Sequence, residues 1–236
     1  MDSGARSRKL NGQGPNGGSA AVSDTAQDYL REIYNLQAEN ERVSTTALAR
    51  RMGVSPPSAS AMVKKLAALG LAEHALYRGV RLSEAGERIA LEVLRHQRLL
   101  ELYLAQTLEI GIDEVHLEAD RLEHALSEEL ESRIDEALGR PTHDPHGHPI
   151  PSVRLKIERP KTKPITALEP GEEAKVLTVP DGDGELLGYL VSISLVPGQL
   201  VTLVHAAPFN GPLTVRVNGR ETAISVELAG QVRVAA

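Results

Sequence analysis

Cysteine and tryptophan are absent from the 236-residue chain, and phenylalanine occurs once. The lack of cysteine excludes disulfide bonds, thiolate zinc sites, iron–sulfur clusters and cysteine nucleophiles, so a bound metal would have only nitrogen and oxygen ligands. Aromatic residues make up 3% of the chain, which predicts an aliphatic core and argues against an aromatic platform for single-stranded nucleic acid. No apolar run approaches the roughly 18 residues of a membrane span or resembles a signal peptide. We therefore expect a globular cytoplasmic protein.

The first 83 residues divide into a polar tail and a helical unit. Residues 1–22 are rich in Gly, Ser and Asn and offer little to bury, so we expect a disordered tail. Residues 23–83 show a helical pattern, a short helix ended by Gly53, a further helix started by Ser55 and the prolines behind it, and a short hairpin. This order of elements is typical of a winged helix-turn-helix DNA-binding domain.

Residues 84–152 form a second helical segment, which we interpret as a domain for metal binding and dimerisation. A long helix follows the capping Ser83 and breaks at Gly111, and a second amphipathic helix is predicted over residues 113–138. Its apolar stripe is longer than its own domain can cover, which predicts packing against a second copy of the chain in a homodimer. The stripe consists of Val115, Ala119, Leu122, Leu126, Leu130, Ile134 and Leu138.

The chain changes its pattern again beyond residue 140. Residues 140–152 are dense in Pro, Gly and His and mark a boundary, after which apolar residues alternate with period two. For residues 153–236 we expect a small SH3-like β-barrel, so the whole protein is mainly α with a smaller β part. The predicted strands cover residues 174–179, 186–196, 200–206, 213–217, 223–228 and 232–234.

The net charge of −6 is spread unevenly along the chain. Residues 45–81 contain six Lys or Arg residues and one acid, whereas residues 82–140 contain fifteen acids and six Arg residues. The basic residues could be ordinary solvated surface, but they coincide with the helix-turn-helix pattern. A basic winged helix beside an acidic helical segment indicates a DNA-binding unit with a separate sensing part.

The helix that starts at Ser55 is the candidate recognition helix. Its first residues are small, and no arginine or glutamine is placed there to hold one base strongly. Much of the specificity would therefore come from DNA shape and spacing. The candidate base contacts are Ser55, Pro57, Ser58 and Ser60, and the candidate phosphate contacts are Arg50, Arg51, Lys64, Lys65 and Arg78.

Two histidines and two carboxylates recur at positions i, i+4, i+7 and i+8 of the predicted helix 113–138. This spacing places them on one helical face about 100° wide, which could be a solvated surface with ion pairs or a metal site. Asp28 on helix one and Glu101 on the long helix would converge on this face if the helices pack through their apolar stripes, which favours metal binding. The residues of the face are His116, Asp120, Glu123 and His124.

Several motifs in this order resemble the diphtheria toxin repressor family of metal-dependent transcriptional regulators, including its manganese-responsive branch. The resemblance runs from Asp24 to about Ser152 and continues more loosely through the C-terminal, FeoA-like domain. It implies a primary, activating metal site at Asp28, Asp120, Glu123 and His124, and an ancillary site at His116 and Glu101. The motifs are DTAQDYLREIYNL, VSPPSASAMVKKLAALGL, RHQRLLELYL, VHLEADRLEHALSEEL and DPHGHPIP.

The sequence departs from the family pattern at two positions that bear on metal binding. Gln97 stands where relatives commonly have a second ancillary histidine, so we expect Gln97 to belong to a weak ancillary site. Arg31 stands where some manganese-responsive relatives have a carboxylate, so we do not expect a binuclear site of that sort. Asp183 or Glu185 is our candidate for a ligand lent by the barrel.

The donor set also bears on the choice of metal. Hard carboxylates with one imidazole favour Mn²⁺ and tolerate Fe²⁺. His143, His146 and His148 alternate in a Pro/Gly turn, which the resemblance makes a structural turn, so we do not expect them to bind metal. His205, in a predicted strand, is expected to be an ordinary core or surface residue.

The resemblance implies a transcriptional regulator and not an enzyme. It would bind double-stranded operator DNA as a homodimer when Mn²⁺ or Fe²⁺ links helix one to the dimerisation helices, and it would control metal-uptake genes. Two alternatives stay open: a winged-helix regulator that responds to an organic ligand, and a metal-dependent hydrolase that uses the same carboxylates. Operator titrations with and without a chelator separate the three.

Overall fold

The structure, a computed structural model, describes residues 22–38, 41–75 and 78–236. The predicted tail, apart from Val22, lies outside the described residues. The described elements form an N-terminal helical domain with a two-stranded hairpin, a helical middle domain and a C-terminal sheet domain, which confirms the predicted fold class. Among the described helices, none is long and apolar enough to cross a membrane.

The N-terminal domain has the predicted winged helix-turn-helix order. Ser44 caps the second helix and Ser55 caps the third, where prolines occupy the first helical positions. Gly53, with φ of +63°, allows the tight turn between these helices. The elements are α1 Asp24–Gln37, α2 Thr45–Arg51, α3 Pro56–Ala68, β1 Ala72–Ala75 and β2 Gly79–Leu82.

The middle domain consists of α4 Glu84–Leu108, α5 Val115–Leu122, a 3-10 turn Glu123–Ala125 and α6 Glu128–Ala137. The prediction of one helix over residues 113–138 is therefore wrong. Leu126 adopts an extended conformation, and the Ser127 side chain accepts a hydrogen bond from the Leu130 N–H to cap a new helix. The predicted apolar stripe is divided by this break: Val115, Ala119 and Ile134 are buried, whereas Leu122 and Leu130 are exposed.

The C-terminal domain is built on a six-stranded antiparallel sheet with the order β3-β8-β4-β5-β6-β7. The sheet is not closed into a barrel. Its apolar face packs with two helices around a core of Val, Leu and Ile side chains. The elements are β3 Thr162–Pro164, β4 Glu173–Thr178, α7 Gly184–Ser192, β5 Leu200–Ala206, β6 Leu213–Val217, β7 Arg220–Ile224, α8 Val226–Gln231 and β8 Arg233–Ala235.

Two of the predicted strands are wrong. Residues 186–196 mostly form α7, because Asp183 caps the Leu186 N–H and the buried Leu187 and Leu190 follow helical spacing. Residues 223–228 are divided between β7 and α8, because the Ser225 side chain caps α8. In both places a continuous apolar run fits a buried helix as well as a strand, and the capping residue decides between them.

The Pro/Gly/His segment at residues 140–152 folds against the C-terminal sheet. Asp144 accepts hydrogen bonds from the backbone N–H groups of His146 and His148, and the His146 carbonyl accepts one from Val179 just after β4. Gly147 has φ of +85°, and a Cβ at this position would lie 1.8 Å from the Leu177 carbonyl oxygen. The segment is thus a tightly packed turn that holds the middle domain to the sheet.

Candidate metal centres and DNA-binding surface

Three predicted ligands from two domains meet where α1 packs beside the end of α5, and a fourth, Asp120, is linked to them through Arg31. We call Asp28, Asp120, Glu123 and His124 the helix-one cluster. His124 Nε2 lies 2.9 Å from Asp28 Oδ1, and its Nδ1 lies 3.0 Å from Gln27 Oε1. Ligand atoms of Asp28, Glu123 and His124 lie within 4.8 Å of one another. The 3-10 turn after α5 brings Glu123 and His124 to α1, so the cluster joins the DNA-binding domain to the middle domain.

The Arg31 guanidinium lies inside the helix-one cluster. Its Nη1 donates to Glu123 Oε1, and its Nη2 lies 3.1 Å from Asp120 Oδ1 and 3.9 Å from Asp28 Oδ1. Nε faces Glu32 Oε1 at 3.4 Å. Arg31 is 6% exposed, and these carboxylates raise its already high pKa even though burial acts in the opposite direction. The sequence shows the substitution at this position but carries no signal for the direction of the side chain.

The electrostatics of the helix-one cluster fit a cation. Burial raises the pKa of Glu123 to about 8, with Arg31 opposing the shift and the neighbouring Asp120 and Asp28 adding to it. Burial likewise raises the pKa of Asp28. Glu123 Oε2 is buried with no hydrogen-bond partner among the described residues. Crowded carboxylates and an imidazole, with a buried oxygen left over, form a donor set that suits a divalent metal ion.

His116 does not join the helix-one cluster, although its spacing places it near the same helical face; the resemblance assigns it to a separate, ancillary group. It points to Glu101 on α4, with 2.8 Å between His116 Nδ1 and Glu101 Oε1, and Gln97 Nε2 lies 3.3 Å from the same ring nitrogen. The hydrogen bond to Glu101 raises the pKa of His116, against burial. Gln97 thus lies beside the ancillary residues, as predicted from the resemblance.

The turn at residues 140–152 adds three side chains to this second group. We call Glu101, His116, Asp144, His146 and His148 the interdomain cluster. Four side-chain oxygen or nitrogen atoms of this cluster are buried and have no hydrogen-bond partner among the described residues: Glu101 Oε2, Asp144 Oδ2, His146 Nδ1 and His148 Nδ1. Ligand atoms of Asp144, His146 and His148 lie within 4.8 Å of one another. Unsatisfied buried acceptors and imidazoles in one place form a donor set that fits a second metal ion.

His146 is oriented as metal-binding histidines usually are. Its Nε2 donates to the Ile112 carbonyl at 2.8 Å, which leaves Nδ1 facing Glu101 Oε2 at 3.4 Å. Burial lowers the pKa of His146, but contact with Glu101 outweighs it and raises the pKa to about 9. The family resemblance predicts a structural turn here, and the sequence signal for a further role is the alternation of Asp144, His146 and His148 at every second residue.

Other residues weighed from the sequence lie elsewhere. Asp181 and not Asp183 or Glu185 lies beside the interdomain cluster, with its Oδ2 3.4 Å from His148 Nδ1. Asp183 is the cap of α7, and Glu185 is exposed. His143 and His205, the other two histidines considered in the sequence, are both exposed.

The candidate recognition helix α3 presents most of its predicted contacts. Ser55, Pro57, Ser58, Lys64 and Lys65 are exposed, and Ser60 is half-buried. Ser55 Oγ accepts from the Ser58 N–H and lies 2.8 Å from Ser58 Oγ, so these two hydroxyls also stabilise the start of the helix.

The predicted phosphate contacts outside α3 differ in their surroundings. Arg50 on α2 and Arg78 in the hairpin turn are exposed. Arg51 instead has its Nε 2.8 Å from Glu32 Oε2 on α1. A charged chain therefore runs from Arg51 through Glu32 to Arg31 and the helix-one cluster.

Three descriptions of protein families match the chain. Residues 21–80 match the N-terminal DNA-binding domain of iron-dependent repressors, and residues 83–152 match the metal-binding and dimerisation domain of the same repressors. Residues 163–236 match the FeoA domain. The matched regions correspond to the three parts of the fold.

Relatives match along nearly their whole length. The iron-dependent repressor IdeR of Mycobacterium tuberculosis is 33% identical over 224 residues, which cover 89% of this chain and 96% of the relative. Among solved structures, a manganese-dependent transcriptional repressor in complex with manganese has a TM-score of 0.84 and 36% identity, and covers 89% of this chain and 99% of that one. ScaR with bound Cd²⁺ has a TM-score of 0.77 and 30% identity, and covers 89% and 98%.

Proposed function

Because this chain belongs to the diphtheria toxin repressor family of metal-dependent transcriptional regulators, we propose that Mn²⁺ or Fe²⁺ activates it to bind operator DNA as a homodimer. The protein would act in the cytoplasm, where it would meet its operator DNA, and would control metal-uptake genes. The observation that carries the proposal is the helix-one cluster, in which Asp28 of the DNA-binding domain lies 2.9 Å from His124 of the middle domain.

The helix-one cluster is the proposed primary site. Asp28, Asp120, Glu123 and His124 would supply hard oxygen ligands and one imidazole, a set that favours Mn²⁺ and accepts Fe²⁺. The bound ion would supply positive charge that neutralises crowded carboxylates. Because the ligands come from α1 and from the end of α5, occupancy would fix the DNA-binding domain relative to the middle domain.

The interdomain cluster is the proposed ancillary site. Glu101 and His116 would hold the ion together with Asp144, His146 and His148, and Gln97 lies next to His116. These residues join α4 and α5 to the turn that packs on the C-terminal sheet. An ion here would stiffen the middle domain without reaching α1, so its loss would weaken DNA binding less than loss of the primary site.

The dimer interface would set the distance between the two recognition helices. Exposed leucines lie at the end of α4, on α5 and on α6, and they support burial against a second copy of the chain. A dimeric helix-turn-helix protein needs its recognition helices about 34 Å apart, one turn of DNA. The leucines are Leu108, Leu117, Leu122 and Leu130.

Variants of the primary site test the proposal. Asp120→Ala and His124→Ala should abolish Mn²⁺-dependent binding to duplexes selected with the wild-type protein, because the ion can no longer join the two domains. Both variants should remain folded, as measured by circular dichroism. Glu101→Ala and His116→Ala should cause a smaller loss in the same fluorescence anisotropy titrations.

Glu118→Ala is the matched control, because Glu118 is a carboxylate on the same helix that pairs with Arg121 away from both clusters. It should keep the full metal response. A full metal response in Asp120→Ala would refute the mechanism, and equal wild-type binding with Mn²⁺ and with chelator would favour a regulator that responds to an organic ligand.

A further inference from the structure

Arg31 is placed where a metal ion would have to bind. Its guanidinium reaches Glu123 and Asp120 through separate nitrogens and lies within 3.9 Å of Asp28. These are three of the four residues of the helix-one cluster. Arg31 comes from the same face of α1 as Asp28, one helical turn further along, and is almost fully buried.

We infer that Arg31 is an internal cation that competes with the divalent ion for the oxygens of Glu123 and Asp120, and so sets the metal concentration at which the regulator responds. This inference rests on the proposed function, because it concerns the primary site. Glu123 Oε1 cannot donate its electron pairs fully to both the guanidinium and an ion. A buried guanidinium close to a doubly charged ion is also repelled strongly, since the surrounding protein screens charge poorly.

The structure also offers the guanidinium an acceptor when it leaves these oxygens. Arg31 Nε is buried without a hydrogen-bond partner among the described residues, although Glu32 Oε1 lies 3.4 Å away. Glu32 is itself buried and its other oxygen accepts from Arg51. A small shift of the Arg31 guanidinium towards Glu32 would keep its positive charge paired with a carboxylate. Binding of the metal ion would then leave no unpaired buried charge.

The competition predicts opposite effects of one substitution on two measurements. In Arg31→Gln, Mn²⁺ should bind the primary site about tenfold more tightly, because the competing charge is gone. The same variant should melt at a lower temperature in chelator, because its carboxylates lose their cation. The increase in melting temperature on adding Mn²⁺ should therefore exceed that of the wild type.

Calorimetric titration of the full-length, DNA-free protein with MnCl₂, together with thermal melts in chelator and in Mn²⁺, tests this. Arg95→Gln is the matched control: Arg95 is equally buried, pairs with Glu131 and Asp135 and donates to the Pro151 carbonyl, away from the helix-one cluster. Arg95→Gln should also lower the melting temperature in chelator, but its Mn²⁺ affinity at the primary site should equal that of the wild type.

The outcomes separate this inference from the proposed function. A wild-type protein that binds neither Mn²⁺ nor, in an anaerobic titration, Fe²⁺ would overturn the proposed function itself. Wild-type binding with equal or weaker binding in Arg31→Gln would overturn the competition alone. If Arg31→Gln does not fold, Arg31→Lys decides: one ammonium cannot bridge both carboxylates as the guanidinium does, so affinity should rise by about threefold, and an unchanged affinity would overturn the inference.

Discussion

Gln97 shows how one side chain can limit a metal site. Its amide nitrogen lies 3.3 Å from His116 Nδ1, within reach of the interdomain cluster, but an amide is a weaker metal ligand than an imidazole. A Mn²⁺ titration should show a tighter phase for the primary site and a weaker phase for the ancillary site. Gln97→His should lower the dissociation constant of the weaker phase by about tenfold and leave the tighter phase unchanged. Gln97→Ala is the control and should not tighten it. Calorimetry on the DNA-free protein measures both phases, and an unchanged weaker phase in Gln97→His would show that the site does not use this position.

Gly147 is required by the turn that carries His146 and His148. An added Cβ would meet the Leu177 carbonyl oxygen at 1.8 Å in a backbone conformation with φ of +85°. Gly147→Ala should lower the free energy of unfolding by roughly 3 kcal/mol, since neither the backbone nor β4 can yield easily. Gly139→Ala is the control, with φ of +75° but nothing within 4 Å, and should cost about 1 kcal/mol. Urea unfolding followed by circular dichroism measures the difference, and equal costs would contradict the close packing.

At the residue scale, helical spacing could identify the ligand residue types but not their division into two groups, which came from the family resemblance. Asp28 and His124 were predicted to meet, and they do. His116 shares a helical spacing with Asp120 and yet contacts Glu101 on α4, whereas Glu123 and His124 lie in the 3-10 turn after Leu122 and face α1. The direction of a long side chain such as that of Arg31 depends on packing between elements far apart in sequence, and no local pattern encodes it.

At the scale of elements, a half-buried acid on α6, Glu131, links this helix to α4. Glu131 Oε2 lies 2.9 Å from His96 Nε2, and Glu131 Oε1 accepts from Arg95. The hydrogen bond from His96 holds the pKa of Glu131 below its usual range, against the effect of burial and with help from Arg95.

This pairing predicts a pH dependence. The pKa of Glu131 is lower in the folded than in the unfolded protein, so its stabilisation is complete above the unfolded pKa of about 4.3 and is lost as the pH falls through the folded value. The stability difference between wild type and Glu131→Gln should therefore shrink between pH 6 and pH 3 in urea unfolding. Glu136→Gln, an exposed position on the same helix, should show no such change. A constant difference for Glu131→Gln would contradict the pairing.

Element boundaries were predictable where a capping residue stands next to a clear pattern. Ser55 followed by prolines correctly marked α3, and Ser83 correctly marked α4. Ser127 and Asp183 cap α6 and α7 in the same way. An apolar stripe that continues past Ser127 instead predicted one helix in place of two, and an apolar run after Asp183 predicted a strand in place of α7. Loss of an N-cap side chain costs about 1 kcal/mol of stability. Because the capping residue itself is extended, it can interrupt a helix that apolar periodicity alone would continue.

At the scale of the whole molecule, the exposed leucines of the middle domain predict the assembly state. Leu117→Glu combined with Leu130→Glu should give a monomer in sedimentation velocity and bind operator DNA poorly, because charges at a buried interface are costly. Phe209→Glu is the control, since Phe209 is fully exposed on the C-terminal domain, and should leave assembly unchanged. A wild-type monomer with tight operator binding would contradict the dimer.

The architecture of the whole protein was predictable because each part has its own pattern: capped helices with a hairpin, amphipathic helices, then period-two alternation. The contacts between the three parts were not predictable from these patterns. The segment 140–152 looked like a boundary, yet its backbone pairs with Val179 and its histidines complete a cluster with Glu101. Pro, Gly and His residues predict a turn, but a turn against solvent and a turn against another domain have the same local sequence.

The contact between Asp28 and His124 across two domains has a thermodynamic consequence for the time course of regulation. If an ion held there strengthens DNA binding by some factor, then DNA must strengthen ion binding by the same factor. A protein on its operator would therefore retain its ion at concentrations that leave free protein without one. Whenever dissociation from DNA is slow, repression would begin at one metal concentration and end at a lower one. The state of a promoter would then depend on the metal concentration of the recent past as well as on the present one.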